Sequence, residues 1–180
     1  MASPEWASVV SECLQIQIVQ GSILETDVEG IVNAANSMGI MGGGVAGVIK
    51  RAAGPEVELE AKKQAPISVG HAVVTAAGRT RFAAIIHAPT MSKPAMRIDA
   101  ENVAQATRGA LTAADARGLI SIAMPGMGTG VGGVAPARAA ACMLREIRAF
   151  QPQSLQRIVL VDLDPDMVEA WRLALKSREA

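Results

Sequence analysis

Two glycine-rich loops, Gly42-Gly43-Gly44-Val45-Ala46 and Gly128-Thr129-Gly130-Val131-Gly132-Gly133, each stand between a strand-like apolar run and a helix-like one. Glycines at such a junction let backbone N–H groups approach an anion closely, and the helix N-terminus that follows adds partial positive charge. One loop of this kind suits a phosphate. Two, about eighty residues apart, suit a ligand with two phosphates held between them. Neither loop carries a nucleophile or a metal site, so the pattern points first to recognition of a diphosphate.

The runs around the loops set the fold class. Leu14, Ile16 and Ile18 alternate with period two across residues 13–19, which predicts a strand. Ile31-Val32 continues into a second strand ending at Asn33. Ala72-Val73-Val74, Ile85-Ile86, Ile120-Ser121-Ile122 and Ile158-Val159-Leu160-Val161 give four more, the last an unbroken apolar run suited to burial on both faces. Val45, Val48, Ile49 and Ala52 follow helical spacing directly after the first loop, and residues 55–65 read as a charged surface helix opened by Pro55. Residues 100–117 keep Val103, Ala106, Ala110 and Leu111 on one side and stop at Gly118. Ala140, Met143, Leu144 and Ile147 mark a helix after the second loop. Asp164 caps a last helix with Pro165 at its first position and Met167, Ala170, Trp171 and Ala174 on its apolar face. Strands alternating with helices imply a mostly parallel sheet covered on both faces. The short connection from Gly21 to Gly30 suggests that part of the sheet is antiparallel.

At 180 residues, half of them apolar, the chain has room for one full core. The expected organisation is a single domain over residues 13–180, preceded by a loosely ordered segment, residues 1–12. The 17 basic and 17 acidic residues cancel, so no basic face supports nucleic-acid binding. No apolar stretch approaches the roughly 18 residues of a membrane span, and no signal peptide opens the chain. Cys13 and Cys142 lack metal or disulfide spacing and read as two buried thiols, which places the protein in a reducing cytoplasm. Neither a metal nor a cofactor is expected.

The segment Ile31-Val32-Asn33-Ala34-Ala35-Asn36 sets two asparagines at the exit of a buried strand. Asparagine there can cap a turn; alternatively its amide can reach sugar hydroxyls, because strand carboxyl ends face the crevice in open α/β sheets. Asn36 suits the crevice and Asn33 the interior. His87 ends a strand and reads as a structural hydrogen-bonding residue, His71 as surface, and Lys50 and Arg51 as solvated. Gly128-x-Gly130-x-x-Gly133 also satisfies the dinucleotide fingerprint. However, the acidic residue expected about twenty positions on is missing, Asp162 lying too far along, and no hydride-transfer machinery is present. No Gly-Lys-Ser/Thr follows either loop, which excludes a kinase-type P-loop.

Gly21-Ser22-Ile23, Ile31-Val32-Asn33-Ala34-Ala35-Asn36, Gly42-Gly43-Gly44-Val45-Ala46-Gly47 and Pro125-Gly126-Met127-Gly128-Thr129-Gly130 together resemble the macro domain family, over about residues 15–175. The resemblance implies a three-layer α/β/α sandwich around a mixed, mostly parallel sheet, and a site for ADP-ribose. By motif position, Ser22 and Ile23 would meet the adenine, while Ala35, Asn36, Gly43, Gly44, Val45 and Ala46 would meet the distal ribose and phosphates. Gly128, Thr129, Gly130, Val131 and Gly132 would cover the diphosphate from the other side, with Leu163 beside the base. ADP-ribosylated proteins are the implied partners.

Some positions depart from the family pattern. Ser22 stands where aspartate usually accepts from the adenine amino group, and a neutral acceptor is roughly half as strong as a charged one. Leu163 replaces a stacking aromatic, and no ring lies near Gly132; a lost stacking partner costs roughly 1–3 kcal/mol. One group of hydrolases in the family, the MacroD type, carries aspartate where this chain has Ala46, while other members without it are also hydrolytic. The expectation is therefore a binding module for ADP-ribose or a close derivative. The alternative is a hydrolase that releases ADP-ribose from protein esters or from O-acetyl-ADP-ribose, with Asn36 as the catalytic candidate.

Overall fold

The computed structural model describes residues 8–10 and 14–177. Its seven strands are β1 (Ser8–Val10), β2 (Gln15–Gln20), β3 (Gly30–Asn36), β4 (Val73–Thr75), β5 (Ala84–Met91), β6 (Ser121–Met124) and β7 (Arg157–Asp162). Five helices accompany them: α1 (Gly44–Ala53), α2 (Glu56–Lys63), α3 (Ala100–Ala116), α4 (Pro136–Ala149) and α5 (Pro165–Lys176). The sheet order is β1-β2-β7-β6-β3-β5-β4. The five inner strands run parallel, and only the edges β1 and β4 are antiparallel.

Alternation along the inner strands divides the core in two. Ile16, Ile18, Val32, Ile86, Ile122, Ile158 and Leu160 face α3, α4 and α5. Ile31, Ile85, Ala123, Val159 and Val161 face Ile49 and Ala53 of α1, Val57 of α2 and Ile23. The result is the expected α/β/α sandwich.

Several expectations need correction. The sheet is antiparallel in part, as expected, but at its two edges rather than across the connection from Gly21 to Gly30. β2 and β3 are separated by β7 and β6 and run in the same direction, and a 3-10 turn at Ile23–Glu25 packs Ile23 onto the sheet between them. β3 runs through Asn36 rather than stopping at Asn33. Part of the N-terminal segment expected to be loose is paired, since Ser8–Val10 lie opposite Gln15–Gln17; Cys13 falls outside the described residues. Cys142 is half-buried rather than buried. The helix at 55–65 is not purely a surface element, because α2 buries Val57, Glu58 and Ala61. In α1 the buried set is Ala46, Gly47, Ile49 and Ala53, one position round from the predicted stripe, while Val45 packs partly buried against the same core and also borders the crevice described below.

Candidate functional site

β3 and β6 pair only at Gly30–Ile31 with Ile122–Ala123 and then part. The chain leaves β3 for α1 on one face of the sheet and leaves β6 for α4 on the other. Adjacent strands whose following helices go to opposite faces form a switch point, where open α/β sheets bind ligands. A cavity of about 390 Å³ opens there, inside the roughly 300–1,000 Å³ range of small-molecule sites.

The crevice brings together Ala35, Asn36, Gly43, Gly44, Val45 and Ala46 from the first side and Gly128, Gly130, Val131 and Gly132 from the second. Ser22, Ile23, Thr129 and Leu163 do not line it. Ser22 and Leu163 follow the neighbouring strands β2 and β7, where Gly21 donates its amide to the Asp162 carbonyl at 2.9 Å. Ile23 is buried under the sheet, and Leu163 is 70 % exposed. The Ser22 hydroxyl accepts from the Leu24 amide at 3.2 Å as the cap of the 3-10 turn.

The glycines fall into two groups. A Cβ at Gly128 would come within 2.8 Å of Val103, and one at Gly132 within 2.7 Å of the Gly128 carbonyl, so packing alone requires those two. At Gly42, Gly43 and Gly130 a Cβ would meet nothing within 4 Å. The absent side chains there leave open space above the backbone. Gly44 also faces open space, but its φ of +56° makes glycine necessary for conformational reasons.

Backbone amides without partners border that space. Gly43 caps α1 without a side-chain hydrogen bond, so the first amides of the helix lack intrahelical partners. The second loop closes on itself through Gly133 to Gly130 at 3.1 Å and Val134 to Gly128 at 3.0 Å. Among the described residues, no backbone partner takes the amides of Gly130, Val131 or Gly132. Both sides thus present unpaired N–H groups, with α1 adding the positive end of its dipole. No lining residue is ionisable.

Asn36 serves the fold as well as the crevice. Its Oδ1 accepts from the amides of Met38 (3.1 Å) and Ile40 (3.3 Å), and Nδ2 donates to the Ile40 carbonyl at 2.8 Å. It therefore shapes the turn that leads into the first loop, with one amide hydrogen left over. Asn33 points inward, as expected. Its Nδ2 meets Nδ1 of His87 at 3.1 Å, and Nε2 of His87 meets the Thr75 hydroxyl at 2.9 Å. Burial lowers the His87 pKa to about 4. The neutral ring, accepting from Asn33 and donating to Thr75, is a structural group outside the crevice. His71 is exposed, as predicted.

Lys50 is not free, which corrects the expectation. It pairs with the buried Glu58, which also binds Lys62 at 3.0 Å and accepts from the Met41 amide at 3.2 Å. Burial alone would raise the Glu58 pKa, but these hydrogen bonds outweigh it and bring it to about 2. Glu58 thereby ties α1, α2 and the entry of the first loop together. The motifs also missed Thr90, Met91, Pro94 and Ala95, which wall the crevice from the end of β5; the only available signal was that β5 ends beside β3. Asp162 anchors the start of the second loop by accepting from the Gly126 amide at 3.0 Å.

A family profile described as "Macro domain" matches residues 32–143. A protein of Aquifex aeolicus is 54% identical over 165 residues, 92% of this chain and 100% of its own. A protein of Salmonella newport named O-acetyl-ADP-ribose deacetylase is 38% identical over 141 residues, 76% of this chain and 79% of its own. The Oceanobacillus iheyensis macrodomain, solved with ADP, superposes with a TM-score of 0.85 at 27% identity, covering 97% of this chain and 96% of its own. A mutant of it solved with ADPR gives 0.85 at 26%, covering 97% and 98%.

Proposed function

Since the chain belongs to the macro domain family, we propose that its crevice binds ADP-ribose or a close derivative, with the diphosphate between the two glycine loops. The observation that carries this reading is the open space above Gly42, Gly43 and Gly130, where no atom of the described residues explains the missing side chains. Unpaired amides on both sides supply the donors, and the neutral lining leaves no acidic side chain to repel a diphosphate. The ADP and ADPR held by the Oceanobacillus iheyensis macrodomain support the ligand class.

Base recognition is the weak part. The Ser22 hydroxyl already caps a turn, and Leu163 offers no ring. ADP-ribose should bind no tighter than micromolar, and AMP, with one phosphate, more weakly still. Calorimetric titrations of ADP-ribose, ADP and AMP test this; nanomolar affinity, or AMP equal to ADP-ribose, contradicts it. Gly43→Glu should abolish binding in a folded protein. Gly43 has φ −151°, a conformation any residue adopts, and the carboxylate would lie unpaired beside the phosphates. Gly43 is a cleaner site for this test than Gly44, where any side chain is strained.

The Salmonella relative's name favours a second reading, hydrolysis of ADP-ribosyl esters. With no ionisable lining residue, such activity would rest on substrate positioning and be slow. Release of ADP-ribose from O-acetyl-ADP-ribose and from mono-ADP-ribosylated protein tests it, and no release from either leaves binding as the function.

A further inference from the structure

Among the crevice-lining residues, Asn36 and Thr90 carry the polar side chains. Asn36 is largely committed to its own turn. Thr90 is not. The residue is 2 % exposed, and among the described residues its hydroxyl makes one hydrogen bond, to the Ala35 carbonyl, which is 3.5 Å long. Hydroxyl bonds ordinarily measure roughly 2.5–3.0 Å, so this partner is poor, and the acceptor sites of the oxygen remain open.

The backbone holds this hydroxyl in place. Ala35 lies opposite Pro89 and Asn36 opposite Met91, so Thr90 is the extra residue of a bulge, a device that re-aims a side chain. Asn102 Nδ2 donates to the Thr90 carbonyl at 2.9 Å, and the Ser37 amide donates to the Met91 carbonyl at 2.9 Å. Both sides of the bulge are therefore pinned.

Sheet order says which part of a ligand reaches Thr90. Ser22 and Leu163 follow β2 and β7, the glycine loops follow β3 and β6, and Thr90 ends β5. From β2 to β5 is four strand spacings, about 19 Å, comparable to an extended nucleoside diphosphate sugar. With the base over β2 and β7, as the family resemblance implies, and the diphosphate at the gap between β6 and β3, the terminal sugar would lie against β5.

We propose that the Thr90 hydroxyl binds the terminal sugar and so distinguishes ADP-ribose from ADP, an inference that rests on the ADP-ribose reading above. Sugar hydroxyls both donate and accept, as an under-used threonine hydroxyl requires. The test is calorimetric titration of ADP-ribose and ADP into wild type, Thr90→Val and Thr90→Ser. Valine keeps the branched shape and puts a methyl in place of the hydroxyl; Thr90→Ala removes the hydroxyl without that methyl and serves if valine does not fold. Loss of the hydroxyl should weaken ADP-ribose roughly three- to tenfold and leave ADP unchanged, with serine close to wild type. Unchanged ADP-ribose affinity, or equal losses for both ligands, overturns the role of Thr90 alone. A wild type that binds neither ligand overturns the ADP-ribose reading and this inference together.

Discussion

Single residues in this protein serve both fold and site. Asn36 lines the crevice while three of its hydrogen bonds build the turn below the first loop. Asn36→Ala would therefore damage the loop as well as any sugar contact. Ser22 allows a cleaner substitution. Aspartate caps a helix as well as serine does, and its second oxygen would be free for the base. Ser22→Asp should raise ADP-ribose affinity about tenfold, since a charged acceptor adds roughly 1–2 kcal/mol; titration that finds weaker binding would mean a base other than adenine. His87 makes a different prediction. Its pKa is about 4 folded against an ordinary 6.5, so the unfolded chain takes up the proton first. Stability should be full above about pH 6.5 and fall by on the order of 3 kcal/mol as pH drops to 4. Urea unfolding across that range measures the slope, and His87→Gln should flatten it. Acid sensitivity from Glu58 begins lower, as pH falls from about 4.5 towards 2, so above about pH 4.5 the loss belongs to His87.

At the level of elements, α2 matters more than its charged sequence suggests. Glu58 joins Lys50 of α1, Lys62 of α2 and the Met41 amide. Glu58→Gln keeps the shape but removes the charge, and should cost about 1–3 kcal/mol and loosen the first loop enough to weaken ADP-ribose binding. Denaturant unfolding and titration of the same variant check both effects; unchanged values in both would mean that the Glu58 charge does not hold the loop. Helices with clear apolar spacing were legible in the sequence: Ala140, Met143, Leu144 and Ile147 of α4 are all buried. The inner strands were legible too, β2 from the alternation of Ile16 and Ile18 and β7 from its unbroken apolar run. The three-residue edge β1 was not, since so short a strand carries no period. Nor was the crossing from β2 to β3, because pairing partners are chosen by long-range packing. The glycine loops were readable from composition, whereas Thr90 was not: its importance comes from a bulge, and a bulge has no signature in Thr90-Met91 itself.

For the molecule as a whole, parallel strands that part between β3 and β6 create a crevice, and glycine keeps it open on both sides. Its lining contributes amides rather than acids or bases, which suits gripping a diphosphate more than cutting a bond. Ala46 lies in the first turn of α1, where the helix dipole favours a carboxylate. If the protein hydrolyses esters at all, Ala46→Asp should speed release of ADP-ribose, by up to about 10²–10⁴-fold for a well-placed base, in a steady-state assay on O-acetyl-ADP-ribose. The central claim, that the two glycine loops hold the diphosphate, is tested most directly by following the backbone amide resonances of nitrogen-labelled protein during titration with ADP-ribose. The account predicts that the largest shifts fall on Gly43 to Ala46 and on Gly130 to Gly132. Shifts concentrated elsewhere, with both loops unmoved at saturation, would contradict it.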